Sequence, residues 1–145
     1  MKIFIITLLL VLTACQQNID TKKIEQWKSE ITNAEHQFAV MAKEKGIAAA
    51  FYEFADSNAA IKREGKVIQG WDAIKKYYDA QNLVNVRLEW APSFVDVSSS
   101  GDLGYTYGNF TYSEKDSTGK MNETKGIFHT VWKKQKAGGW KYVWD

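Results

Sequence analysis

The chain has 145 residues, of which 45% are hydrophobic, 25% charged and 14% aromatic, and its formal net charge is +2. This length accommodates one domain, and the abundance of large apolar side chains excludes a disordered chain. Lys and Arg number 19 against 17 Asp and Glu. This near balance argues against nucleic-acid binding, because such domains usually concentrate positive charge on one face.

The N-terminal segment has the organisation of a secretory signal peptide. Lys2 precedes an almost unbroken apolar run, Ile3–Leu12 (IFIITLLLVL), and two small residues then lead to Cys15. The run has half of the roughly 20 apolar residues that a membrane-spanning helix needs. A basic start, a short apolar stretch and small residues in this order predict a segment that is removed from the mature protein.

The four residues Leu12-Thr13-Ala14-Cys15 resemble the lipobox of bacterial lipoproteins. The resemblance implies that the Cys15 sulfur receives a diacylglycerol, with palmitate-type acyl chains, and that cleavage occurs just before Cys15. Residues 1–14 are then a signal peptide, 15–21 a lipidated tether and 22–145 the folded domain. The alternative is an apolar N-terminal helix or strand that ends at a cysteine by chance.

Two neighbouring observations extend this resemblance. Cys15 is the only cysteine, so its lipidation leaves no residue for a disulfide, a thiol nucleophile or a cysteine metal site. Gln16 follows it, whereas Asp at that position tends to mark inner-membrane retention in Gram-negative lipoproteins. The resemblance therefore implies an envelope protein anchored by lipid, with the outer membrane facing the periplasm favoured.

Three helices are predicted in the first half of the mature chain. Apolar residues recur every three or four positions from about Asp20 to Lys45, which indicates an amphipathic helix that ends at Gly46. A shorter, Ala-rich helix is expected over 47–54. A third helix is expected over 71–80.

The remaining segments predict strands. A turn is expected at Asp56-Ser57-Asn58, because these side chains favour turns. The predicted strands are 59–63 and 67–68 in a small hairpin, followed by 86–97, 103–115, 121–135 and 140–144. Helices followed by an antiparallel meander indicate an α+β domain in which the helices cover one face of the sheet.

Several local motifs accompany this order of elements: Gly70-Trp71-Asp72-Ala73-Ile74 opens the third helix, Gly101-Asp102-Leu103-Gly104-Tyr105 opens a strand, and Val131-Trp132 precedes Gly139-Trp140. Together they resemble the nuclear transport factor 2-like fold, and within it the SnoaL-like group and its uncharacterised calcium/calmodulin-kinase association-like relatives. The resemblance implies a cone in which helices and a curved antiparallel sheet enclose a pocket. The motif residues serve turns and packing, so they indicate a fold and no particular reaction.

Six side chains are candidates for lining that pocket: Tyr52, Tyr78, Trp90, Tyr105, Tyr107 and His129. Tyr105 and Tyr107 share one face of their strand, and His129 lies mid-way along the next, so the three are expected to meet on the helix-covered face. The alternative directs Phe128, Thr130 and Trp132 inward and turns His129 to solvent or to a dimer partner.

Other polar residues have simpler interpretations. His36 lies off the apolar stripe of its helix and is expected at the surface. Arg87 and Glu89 are expected to form an exposed pair; the inward alternative would give Arg87 the place of the arginine in an Asp–Arg–Asp site such as that of epoxide-hydrolase relatives. Asp56 is interpreted as a turn former. Two separated histidines without a second ligand cluster predict no metal site, and no cofactor-binding motif is present.

These observations predict a lipid-anchored cell-envelope domain that binds a small apolar or amphipathic molecule without a cofactor. The alternatives are a cofactor-independent acid–base enzyme of the isomerase, dehydratase or hydrolase type, and a dimeric interaction scaffold. Binding is favoured because acid–base catalysis needs a positioned, partly buried ionisable pair, and only His129 is a plausible internal base. The resemblance also implies a homodimer that pairs through the sheet.

Overall fold

The computed structural model describes residues 20–145, so the predicted signal peptide and Cys15 lie outside the described residues. Its elements are α1 (Thr21–Lys45), α2 (Ile47–Phe54), β1 (Ala55–Arg63), β2 (Lys66–Gln69), α3 (Trp71–Asp79), β3 (Val86–Val97), β4 (Leu103–Lys115), β5 (Met121–Lys134) and β6 (Trp140–Trp144). The three predicted helices and the four long strands are confirmed to within one residue. No helix in the described range is both long enough and apolar enough to cross a bilayer.

Helix α1 has a defined start and end. The Asp20 carboxylate accepts a hydrogen bond from the backbone N–H of Lys22 at 3.1 Å, which satisfies one of the free donors at the helix N-terminus. Gly46 follows the last turn with φ +93°, a conformation that glycine adopts without a steric penalty. Because Gly46 also precedes α2, the two helices are joined without a loop.

The six strands form one sheet in the order β2-β1-β6-β5-β4-β3. Strands β3 to β6 form the expected antiparallel meander. Strand β1 pairs with β6 in parallel, so the sheet is mixed, whereas the sequence predicted an antiparallel one. The helices pack on one face of this curved sheet, as expected for an α+β domain.

The predicted turn at residues 56–58 is wrong, because β1 begins at Ala55, directly after α2. Asp56 still makes a turn-type contact, in which its Oδ1 accepts from the backbone N–H of Asn58 at 3.0 Å. This contact coincides with an irregularity in the pairing of β1 with β6, between Ala55 and Ala60. The local turn preference therefore produces a distortion within an extended strand.

Helix α1 lies very close to the inner face of β4. A Cβ placed on Gly104 would lie 2.4 Å from Cδ1 of Ile31 and 2.7 Å from a backbone oxygen of β3, so no larger residue fits there. The core between helix and sheet includes Phe38 and Trp132, which are almost fully buried, and Trp140, which is 6% exposed. This close approach fills the space under α1 and leaves the open space elsewhere in the cone.

Candidate functional site

A cavity of about 690 Å³ lies between α2, α3 and the inner face of the sheet. Helix α1 contributes none of its lining residues. The apolar part of the wall consists of Ile47, Phe51, Leu83, Leu88, Trp90, Phe110 and Phe128. A volume of this size, enclosed mainly by apolar and aromatic side chains, matches the sites that bind small organic molecules.

A cluster of three polar side chains, Arg63, Tyr78 and Asp145, lies among the lining residues. Nη2 of Arg63 donates to Oδ1 of Asp145 at 2.6 Å and to the hydroxyl oxygen of Tyr78 at 3.0 Å. The guanidinium lies over the ring of Phe51, 5.1 Å from its centroid. The other carboxylate oxygen of Asp145 accepts from the Thr130 hydroxyl at 3.1 Å. The cluster therefore links β1, α3, β5 and the end of β6.

The charges of this cluster compensate one another. Burial by itself would lower the pKa of Arg63, but the neighbouring carboxylate of Asp145 raises it above its ordinary value. Burial raises the pKa of the Tyr78 hydroxyl, and the adjacent Arg63 offsets only part of this rise. At neutral pH the cluster is therefore an ion pair hydrogen-bonded to a neutral phenol.

A second polar group, Glu35, is fully buried beside the cavity wall. Its Oε1 accepts from the indole N–H of Trp90 at 2.6 Å, and its Oε2 accepts from Thr106 at 2.5 Å and from the indole N–H of Trp132 at 2.9 Å. Burial raises the pKa of Glu35 above its ordinary value, although the three donors oppose that shift. Because Trp90 borders the cavity, Glu35 holds one wall of the site in place.

Three polar residues of this region were not predicted. Arg63 and Asp145 lie 82 positions apart in the sequence, so no local pattern connects them. Glu35 did carry a signal, because it lies four residues after Ile31 on the face of α1 that is buried. A charged residue on the buried face of a helix needs partners inside the fold.

The predicted site of Tyr105, Tyr107 and His129 forms on the wrong face of the sheet. The expected neighbours do meet, since Tyr107 pairs with His129 and the Tyr105 and His129 rings lie 5.8 Å apart. All three are exposed on the face away from the helices, while Thr106 and Thr130 are buried. His129 is among the residues that border the cavity, but it is exposed, whereas Thr130 and Trp132 are buried. The alternative arrangement of β5, with Phe128, Thr130 and Trp132 inward, is therefore the correct one.

The physical reason lies in the partners available inside the fold. The Thr106 hydroxyl and the Trp132 indole N–H donate hydrogen bonds to the carboxylate of Glu35. The Thr130 hydroxyl donates to the carboxylate of Asp145. The small residue Gly104, on the same face of β4 as Thr106, leaves room for α1. A tyrosine in place of Gly104 would collide with Ile31 of α1. The larger side chains of β4 therefore point outward.

Of the other pocket candidates, Tyr78 and Trp90 border the cavity. Tyr52 does not border it, because its ring stacks instead on that of Trp71 at a centroid distance of 4.2 Å. His36 is exposed. Arg87 and Glu89 form an exposed pair at 3.6 Å, so Arg87 does not face inward.

Asp56, which the sequence predicted as a turn former, lies outside the cavity. Besides Asn58, Asp56 accepts from the side-chain amide of Gln135 at 3.1 Å, and the backbone N–H of Asn58 is the main reason that its pKa lies below the ordinary value. Within residues 20–145, no three His, Asp or Glu side chains converge in a way that could hold a metal ion.

No protein-family model and no curated protein matches the sequence. Solved structures do match it. A nuclear transport factor 2-like superfamily protein from Salmonella enterica serovar Typhimurium has a TM-score of 0.68 and 17% identity, over 83% of this chain and 88% of its own. A ketosteroid isomerase-like protein from Erwinia carotovora has a TM-score of 0.66 and 16% identity, over 81% and 91% of the two chains.

The association domain of C. elegans CaMKII is similar to the same extent, with a TM-score of 0.66 and 16% identity over 85% of this chain and 95% of its own. At identities this low, the similarity concerns the fold. The chain has the nuclear transport factor 2-like fold, as the order of its elements and its glycine and tryptophan motifs predicted.

Proposed function

We propose that this domain binds a small apolar or amphipathic molecule in the cavity between α2, α3 and the sheet. The observation that carries the proposal is the cavity itself, about 690 Å³ in volume, with an aromatic wall and the Arg63–Tyr78–Asp145 cluster among its lining residues. Burial of an apolar ligand against such a wall supplies the affinity. The few polar groups fix the ligand's orientation.

Acid–base catalysis has less support than binding. A general acid or base works best when its pKa lies near the operating pH. The buried Tyr78 has a pKa raised further above neutrality, and the carboxylate of Asp145 is already hydrogen-bonded to Arg63 and Thr130. Glu35 is fully enclosed by its three donors. The cavity thus offers recognition groups more readily than a free base.

A polar residue in the apolar wall is expected to abolish most of the binding. We expect Leu88→Asp to weaken the binding of 2-ethylnaphthalene, measured by equilibrium dialysis, by about tenfold or more, because a carboxylate at this position must keep its water. The matched control is Ala91→Asp, on the same strand but exposed on the opposite face. Equal affinity of both variants and the unmodified chain would contradict the proposed site.

A second candidate function is association of two copies through the outer face of the sheet. Several large side chains are exposed there: Phe94, Leu103, Tyr105, Tyr107, Ile127 and His129. Ile127 is 75% exposed, and the rings of Phe94 and Tyr107 stack at 5.0 Å. A contiguous apolar patch of this kind is typical of an interaction surface. A second copy is the favoured occupant, because a structural neighbour is an association domain.

A charge in the middle of this face is expected to separate the two copies. We expect the unmodified domain to sediment as a dimer and Ile127→Glu to shift it to a monomer, because the carboxylate would be buried without a partner. Val84→Glu is the control, since Val84 is 86% exposed but lies in the connection before β3. A monomer for the unmodified chain, at concentrations where the fold is intact, would contradict the proposal.

We also propose that Cys15 carries the lipid that attaches this domain to the cell envelope, with the outer membrane facing the periplasm as the favoured location. The supporting observations are those of the sequence: the basic start, the apolar run and the lipobox-like residues before Cys15. Two or three acyl chains anchor a protein firmly, since each buried methylene contributes about 0.8 kcal/mol.

A further inference from the structure

The hydrogen bonds of Arg63 identify which polar group of the cavity is free to meet a ligand. A guanidinium has five N–H donors. Nε and Nη2 both donate to Tyr78, and Nη2 also donates to Asp145. Nη1 donates to the backbone oxygens of Lys62 at 2.9 Å and of Asp145 at 3.4 Å. All five donors are therefore used within the protein, and none remains for a ligand.

Tyr78 is in the opposite situation. Its hydroxyl oxygen accepts two hydrogen bonds from Arg63, at 3.2 and 3.0 Å. No side chain or backbone oxygen of the described residues accepts its proton within hydrogen-bond distance. The residue is 7% exposed and borders the cavity. A buried donor without an acceptor is unfavourable, and an acceptor on a ligand would remove that penalty.

We propose that the molecule bound here carries a neutral carbonyl oxygen that accepts the hydrogen bond of the Tyr78 hydroxyl. The proposal rests on the ligand-binding function proposed above and specifies the chemistry of the ligand: an aromatic or alicyclic body with a ketone, aldehyde, ester or amide group. Arg63 is a positioning residue. Its two hydrogen bonds orient the phenol and polarise its O–H bond, which makes the phenol a stronger donor.

Charge favours a neutral carbonyl over a carboxylate. Asp145 lies 2.6 Å from Arg63, so its negative charge cancels the arginine's within the cluster. A ligand carboxylate would lose its water, face Asp145 and find no free N–H on Arg63, which is unfavourable in a buried site. Lys62 and Glu64, also among the lining residues, are exposed and of opposite sign, so they add no net positive charge.

Three probes of similar shape test this inference by equilibrium dialysis: 2-acetylnaphthalene with a carbonyl, 2-ethylnaphthalene without one, and 2-naphthoate with a negative charge. We expect Tyr78→Phe to weaken the binding of 2-acetylnaphthalene about tenfold. The binding of 2-ethylnaphthalene should stay unchanged. The matched control is Tyr52→Phe, because it removes the same hydroxyl from a tyrosine that lies outside the cavity and stacks on Trp71. It should bind the ketone as the unmodified chain does.

The carbonyl stretching frequency of bound 2-acetylnaphthalene provides a measurement that does not depend on a variant. In the unmodified chain we expect the infrared band to lie below its position in an apolar solvent, because a hydrogen bond weakens the C=O bond. A band at the apolar-solvent position, an unchanged ketone affinity in Tyr78→Phe, or tighter binding of 2-naphthoate than of the ketone would overturn the inference. If neither the ketone nor the hydrocarbon binds, the proposed function itself fails, and the inference with it.

Discussion

Glu35→Ala is expected to destabilise the folded domain by about 3–5 kcal/mol, because each buried donor left without an acceptor costs about 1–3 kcal/mol and the truncation adds a cavity. The substitution leaves the donors of Trp90 and Thr106 without their acceptor, and the indole N–H of Trp132 keeps only its hydrogen bond to the Thr106 hydroxyl oxygen at 3.2 Å. It also leaves a cavity between α1 and the sheet, since Glu35 is fully buried. Chemical denaturation of the two proteins, followed by tryptophan fluorescence, measures the difference.

Glu35→Gln is the matched control. It keeps the side-chain volume and one acceptor oxygen, and Thr106 can accept from the new amide if its hydroxyl rotates. We expect a loss of about 1–2 kcal/mol, in the range for one or two unsatisfied hydrogen bonds. If Glu35→Ala and Glu35→Gln unfolded with the same free energy, the buried hydrogen bonds of Glu35 would contribute nothing to stability.

The same pair of proteins reports the ionisation of Glu35. Its pKa in the folded domain lies above the ordinary value because of burial. The stability that this group contributes is therefore fully present below the unfolded pKa and is lost as the pH rises through the folded pKa. The stability advantage of the unmodified chain over Glu35→Gln should grow on acidification. The pKa values of Glu30 and Asp56 are lowered. Both residues are present in both proteins, so their contributions to the pH dependence of stability cancel in the comparison. An advantage that shrinks in acid would contradict the burial argument.

Cys15→Ser is expected to abolish incorporation of labelled palmitate and to leave the uncleaved precursor. Serine has no thiol to accept a diacylglycerol, so the expected effect is all or none. Growth with radiolabelled or alkyne-tagged palmitate, followed by gel electrophoresis, measures it. Gln16→Ser places the same residue one position later and should be labelled as the unmodified chain is. Palmitate that persists on Cys15→Ser would exclude the lipoprotein interpretation.

The elements of this fold were predictable because their signals are local. The three-to-four-residue spacing of apolar side chains in α1 and the alternation along β3 to β6 depend on residues within one or two turns, or along one strand. Gly46 ends α1, as the sequence predicted, and its φ is +93°. Such signals set the type and the bounds of each element without reference to the rest of the chain.

The turn expected at residues 56–58 shows where a local signal is overridden. Asp56 does accept a hydrogen bond from the backbone of Asn58, as a turn former should. The segment is nevertheless extended, because β6 lies beside it in parallel. That pairing joins two segments from opposite ends of the domain, so only the tertiary structure determines it.

The site depended even more on tertiary structure. Alternation along β4 and β5 defines two faces, one with Tyr105 and His129 and the other with Thr106 and Trp132, but it does not say which face is covered. That choice follows from Glu35 on a distant helix, which offers a buried acceptor to Thr106 and Trp132 and none to the tyrosine. Arg63 and Asp145 likewise meet only when β1 and β6 are paired. Sequence periodicity identifies faces, whereas the partners that bury a polar group come from segments far away in the chain.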